Sequence, residues 1–169
     1  NPYKGNEELS EKTVHSKANQ AVSMKAALES MILLKNDKNI LPLNKDIRKI
    51  AVIGPNADEA KNLICRYGPA NAPVKTVYQG IKSYLPNADV LYAKGCDIID
   101  KHFPESELYD VPLDSAEQQM INEAVEQARK SDVAILVLGG NEKTVREEYS
   151  RSSLNLCGRQ EQLLKAVFA

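Results

Sequence analysis

The chain has 169 residues, 43% of them apolar and 27% charged, which suits one globular domain, or one and a fraction, and excludes both two large domains and a disordered chain. Lys plus Arg (22) balances Asp plus Glu (23) to a formal charge of −1 with the signs interspersed, so no footprint for nucleic acid or an anionic membrane is present. The longest apolar run, around Val133 to Leu138, is far short of the ~20 residues that span a bilayer, and Cys65, Cys96 and Cys157 are too widely spaced for a CxxC metal or redox motif.

The chain opens at Asn1 rather than Met and shows no charged n-region followed by an apolar h-region. From Ser10 to about Leu34, apolar residues including Val14, Ala18, Val22, Leu28, Met31 and Ile32 mostly recur at three- and four-residue steps, which predicts a long helix. Asn36 to Lys45 reads as a loop or short edge strand around Pro42. Lys49 to Ile53, a β-branched run closed by Gly54-Pro55-Asn56, reads as a buried strand, with Asn56 capping a short helix near Ala57 to Cys65. A loop over Tyr67 to Pro73 precedes a helix over Thr76 to Tyr84, and Asp89 to Ala93 is a second strand.

Asp100 to Pro112 has two prolines, a histidine and no period, and reads as an irregular surface excursion. Ser115 and Gln118 have capping-box spacing ahead of a helix running to about Lys130. Asp132 to Leu138 is almost unbroken in its hydrophobicity, as expected of a central parallel strand covered on both faces. Gln160, Leu163, Leu164, Val167 and Phe168 then form a helical pattern that reaches Ala169 with no Gly or Pro stop, so the chain reads as a piece of a longer protein. Strand and helix in alternation predict an α/β fold, a three-layer αβα sandwich with a mainly parallel sheet and right-handed crossovers, preceded by the long helix.

Ligands of open parallel sheets bind beyond the carboxyl ends of the strands, which points to Gly54–Asp58 and to Gly139–Ser153. The first has one glycine where a dinucleotide fingerprint needs three, and Asp58 and Glu59 in its first helical turn would repel a phosphate. The second crowds Glu142, Glu147 and Glu148 with Lys143, Arg146 and Arg151. By composition alone it is a solvated surface, and by position it is a binding loop. His15 and His102 have no second ligand at metal spacing, so no metal or other cofactor is expected. Tyr67 and Tyr149 could stack on a sugar face, although packing is the ordinary use of a tyrosine.

Ile50-Ala51-Val52-Ile53-Gly54-Pro55-Asn56-Ala57, preceded by Ser30–Asn36 and Ile40–Leu43, resembles the start of the second domain of glycoside hydrolase family 3, the β-glucosidase and β-xylosidase family. Gly68–Gly80 and Arg151–Leu156 through Gln160–Leu164 are similar to later segments of that domain, so the resemblance spans nearly the whole chain. It implies a linker and helix over residues 1–48, joined to a missing (β/α)8 barrel that bears an aspartate nucleophile, and a truncated sandwich over 49–169 that supplies a general acid/base. Arg151-Ser152-Ser153-Leu154 sets the register and places Glu147 at the acid/base position, with Glu148 and Glu142 as alternates. Arg151 and Tyr149 are the candidate substrate-binding residues, while Ser150 and Cys157 stand where many members have Asp and Pro.

The resemblance further implies retaining hydrolysis of terminal β-D-glucosyl or β-D-xylosyl residues from an oligosaccharide. The domain's partner would be the protein's own N-terminal barrel, without nucleic acid or membrane insertion, in a periplasmic or secreted bacterial enzyme. The general acid of such a pair holds its proton near neutral pH and donates it to the leaving oxygen. The competing reading is a non-catalytic carbohydrate- or nucleotide-binding α/β module, and for Glu147 itself a surface carboxylate paired with Arg146 or Arg151.

Overall fold

A computed structural model describes residues 5, 12–14, 16–68 and 73–169. The chain divides into two compact units, Asn1–Leu43 and Asn44–Ala169. In the first, helix α1 (Lys17–Ser30) is shorter than the predicted 10–34 segment. Ser16 sets its start, the hydroxyl accepting from the Asn19 N–H (3.2 Å). Its end coincides with Ser30, whose hydroxyl donates to Ala27 O (2.8 Å), and with extended backbone at Met31. Beyond it the Asn36 side chain brackets Leu41, donating to its carbonyl and accepting from its N–H (both 2.9 Å) around a 3-10 turn at Asp37–Asn39. Residues 10 and 11, His15 and residues 69–72 of the predicted loop lie outside the described residues.

The second unit is built on three parallel strands, β1 (Lys49–Ile53), β2 (Asp89–Ala93) and β3 (Val133–Leu136), in the order β2-β1-β3. Ile50 of β1 stands opposite Val90 on one side and Val133 on the other. The predicted central strand, Asp132–Leu138, is therefore an edge strand among the described residues, half-buried along its length, and β1 is central. Apolar runs of this kind report coverage of both faces and carry no information on the number of strand neighbours. Asp132 still ties the sheet together, because its Oδ2 accepts from the N–H groups of Arg48 (3.2 Å) and Lys49 (2.9 Å) at the start of β1.

The helices are α2 (Lys61–Ile64), α3 (Val77–Tyr84), α4 (Ser115–Arg129) and α5 (Gln160–Phe168). Successive side chains of a strand point to opposite faces, so Ile50 and Val52 meet one layer and Ala51 and Ile53 the other. Tyr78 and Ile81 of α3, with Leu85, pack against the first pair. Ile121 and Ala124 of α4 and Leu163 of α5 pack against the second. Helices thus cover both faces of the sheet, as the predicted αβα sandwich requires. Ile50, Val52 and Ile53 are fully buried, and burial of each such side chain contributes about 1.5–3 kcal/mol.

Two predicted caps are displaced. Asn56 does not cap α2, whose N-cap is Ala60 with no side-chain cap bond. Its amide is drawn across the sheet instead, to Gly139 O (3.2 Å). At α4 the capping box is one residue earlier than predicted: Asp114 accepts from the Glu117 N–H (2.8 Å) and Glu117 returns a bond to the Asp114 N–H (2.9 Å). At α3 the predicted start holds, with Thr76 and Gln79 forming the box and the Thr76 hydroxyl donating to Asp58 (2.5 Å).

Candidate active site

The parallel register brings the exits of β1 and β3 side by side. Gly54 leaves β1 at φ +131, and a Cβ there would stand 2.3 Å from Val137 O, so only glycine permits this approach. At the neighbouring exit, Gln160 clamps the start of the polar loop. This fully buried side chain accepts from the Gly139 N–H (2.8 Å) and donates to Gly139 O (3.2 Å) and Cys157 O (3.1 Å). From the sequence, Gln160 is only one position of a helical pattern; its polarity within an apolar face was the available signal.

The loop then winds around Asn141, whose carbonyl accepts from the N–H groups of Thr144 (2.8 Å) and Val145 (2.9 Å). Thr144 is buried, its hydroxyl donating to that same carbonyl (3.2 Å) and accepting from the Asn141 N–H (3.1 Å). A second turn follows, closed by the Tyr149 N–H on Arg146 O (2.9 Å). Glu147 and Glu148 are the two central residues of this turn, which projects both carboxylates from its tip.

Three carboxylates are then sorted by two consecutive residues after α2. Tyr67 donates its hydroxyl to Glu147 Oε2 (2.8 Å). Arg66 lies 3.4 Å from Glu142 through Nε and 3.8 Å from Glu148 through Nη2. Arg146 pairs with Glu148 (3.5 Å), and its guanidinium stacks 3.9 Å from the Tyr149 ring centre. Glu147 therefore has neither of the expected arginine partners, and among the described residues it forms no ion pair. Arg66 has no sequence signal of its own, since an isolated arginine in a short turn looks like ordinary surface.

Arg151 turns inward. Its Nη2 lies 2.8 Å from Glu107 and donates to Asn155 O (2.9 Å), while Nη1 contacts Cys157 Sγ. Tyr149 is half exposed beside Glu147 and Glu148. The structure thus brings Glu142, Glu147, Glu148 and Tyr149 together at the loop surface and places Arg151 beneath them.

The β1 exit forms no phosphate cradle. The Gly54 N–H donates to Ala93 O (3.0 Å) and the Ala57 N–H to Gly54 O (3.1 Å), so these amides are already committed. Asp58 is held by Thr76 at the mouth of that turn. Among the described residues no three His, Cys, Asp or Glu side chains converge on a metal-sized site, and no helix is long and apolar enough to cross a membrane.

The family model described as "Glycosyl hydrolase family 3 C-terminal domain" matches residues 31–169. The chain is 34% identical to "Probable beta-D-xylosidase 7" of Arabidopsis thaliana, over 98% of this chain and 19% of that protein. It is 36% identical to the "Periplasmic beta-glucosidase" of Salmonella typhimurium, over 91% of this chain and 21% of that protein. A solved β-glucosidase from Erythrobacter marinus superposes with a TM-score of 0.76 at 31% identity, covering 94% of this chain and 23% of that one. The chain spans about a fifth of the length of these curated relatives. Motifs, layers and family match agree, and the chain belongs to the C-terminal domain family of glycosyl hydrolase family 3.

Proposed function

We propose that this chain is the sandwich domain of a retaining β-glycosidase that removes terminal β-D-glucosyl or β-D-xylosyl residues from oligosaccharides, with Glu147 as its general acid/base. In this reading residues 1–48 join the sandwich to an N-terminal (β/α)8 barrel, which carries the aspartate nucleophile and most of the sugar pocket. The names of the relatives, β-xylosidase and β-glucosidase, support the reaction class. The periplasmic name of the Salmonella relative supports export to the periplasm or beyond.

The observation that carries the reading is the placement of Glu147. It stands at the tip of a turn at the exit of a parallel strand, held by a neutral hydroxyl rather than by a cation. The arginines on either side of Glu147 in sequence are engaged by Glu148 and Glu107 instead. In the reaction the nucleophile attacks the anomeric carbon while the acid protonates the departing oxygen, and the resulting carboxylate then takes a proton from the incoming water. Tyr149, beside Glu147, offers a ring edge to the sugar, and Arg151 braces the loop from below.

The test is Glu147→Ala in the full-length protein, comparing a dinitrophenyl β-glycoside, whose leaving group needs no proton, with an unactivated disaccharide. General acid catalysis contributes roughly 10²–10⁴-fold, so a loss of that order in kcat/KM confined to the disaccharide, with azide restoring a slowed second step in the kcat of the dinitrophenyl glycoside, is the expected result. Small, equal losses on both substrates would reject Glu147 and move the role to Glu148 or Glu142, or to a carbohydrate-binding domain without an acid.

A further inference from the structure

We infer that Glu107, from the aperiodic segment between β2 and α4, is a positioning residue for the loop that carries Glu147, acting through Arg151. The inference rests on the reading of that loop as the acid/base loop. Arg151 lies four residues after Glu147 and closes the loop that Gln160 clamps at Gly139. Its ion pair with Glu107 (2.8 Å) is largely removed from water, the two side chains being 15% and 14% exposed. The remaining contacts of the Arg151 guanidinium are neutral, to Asn155 O and Cys157 Sγ, and its Nε and the facing Glu107 Oε1 are both buried without a hydrogen bond among the described residues, so the pair is held as a close charge contact. Glu107 is therefore the one carboxylate that compensates this charge among the described residues. Removing one member of a buried pair leaves the other charged and unpaired, which the loop can relieve only by moving Arg151 toward water.

Glu107 is itself held in place. It ends a 3-10 turn at Glu105–Glu107 that is closed on the buried Asp100, which accepts from the His102 N–H and the Ser106 hydroxyl (both 2.7 Å). Arg159, also buried, fastens the far end of the segment through Val111 O (2.7 Å) and Pro112 O (3.3 Å). Between Cys157 and Arg159, Gly158 adopts φ +58, and a Cβ there would stand 2.9 Å from Ile98 O. The segment and the base of the loop are thus pressed together at several independent points. A buried ion pair adds little net stability over an apolar contact, and its use lies in fixing one register, here that of the turn bearing Glu147.

Proton transfer needs the acid within about 2.6–3.2 Å of the leaving oxygen, and a misplacement of about 1 Å costs on the order of 10²-fold. In the full-length protein, Glu107→Gln should lower kcat/KM for the unactivated disaccharide by about 10- to 100-fold and for the dinitrophenyl glycoside by less than about 3-fold. Hydrogen–deuterium exchange of the amides of residues 145–153 should rise, with β1 unchanged. The double variant Glu107→Gln, Arg151→Met removes both charges; it should recover the unfolding temperature and keep the leaving-group-dependent loss, which separates positioning from stability. Equal losses on both glycosides, or recovery of rate together with stability in the double variant, would overturn the inference. Glu147→Ala is assayed alongside: if it shows no leaving-group dependence, the acid/base reading falls, and amide exchange alone decides the brace, faster exchange supporting it and unchanged exchange overturning it.

Discussion

Among single residues, the cysteines show how burial sets chemistry that composition cannot display. Cys65 is exposed at the end of α2, whereas Cys96 and Cys157 are buried. Burial pushes the Cys96 thiol up to about 12, and the neighbouring Asp97 adds to this. Burial also raises Cys157, although the Thr144 hydroxyl and the Arg151 charge oppose it. The thiolate is the reactive form, so access and ionisation act in the same direction here. At pH 8 in native buffer, Ellman's reagent should modify one thiol rapidly and the other two only on unfolding, and Cys65→Ser should remove the fast phase. Two or more fast thiols in the native protein would contradict the packing around Cys96 and Cys157. From the sequence the three are equivalent, just as Glu107 and Arg151 are unremarkable charges 44 positions apart until folding buries them together.

For the elements, what was legible followed the strength of local periodicity. β1 and β2 fall where β-branched and apolar runs are bounded by turn residues, and α3 lies within one residue of its predicted span, Thr76 serving as its N-cap. α4 was legible as a helix and its first turn was not, because Asp114 and Ser115 are both good N-caps and Glu117 and Gln118 both complete a box. The structure chooses Asp114, which also meets Lys101 at 2.6 Å. That lysine, and then the helix N–H groups, hold the Asp114 carboxyl down to about 2, against an ordinary value of 3.8. A carboxyl depressed on folding stabilises the fold above its unfolded value and loses that contribution as pH falls toward the folded one. Asparagine caps equally well without the charge. The difference in urea midpoint between the wild-type chain and Asp114→Asn should therefore be constant above about pH 5 and shrink as pH falls from about 4 to 2. A difference independent of pH would show that neither Lys101 nor the helix N–H groups favour the ionised carboxyl on folding.

On the scale of the whole molecule, the candidate site is assembled from Arg66 and Tyr67, Glu107, Glu142 to Arg151, and Cys157 to Gln160, which only a parallel sheet with adjacent strand exits brings together. The resemblance identified the loop. The partners of its carboxylates were hidden, because each is decided by contacts across tens of residues. Double displacement needs a second carboxylate about 5–5.5 Å from the acid, on the opposite side of the scissile bond. Glu142 and Glu148, the other carboxylates of this loop, are engaged by Arg66 and lie on the same turn system as Glu147. On the proposed division of labour the nucleophile comes from the barrel, so residues 1–169 alone should fold, as judged by a cooperative unfolding transition, and show no turnover of an aryl β-glycoside. Robust turnover by the folded chain would mean that it contains both carboxylates, and it would place the nucleophile among residues that the sandwich itself supplies. A folded and inactive chain that regains activity when the barrel is restored in the same polypeptide, and loses it again with Glu147→Ala, would locate the acid in this domain and the nucleophile outside it.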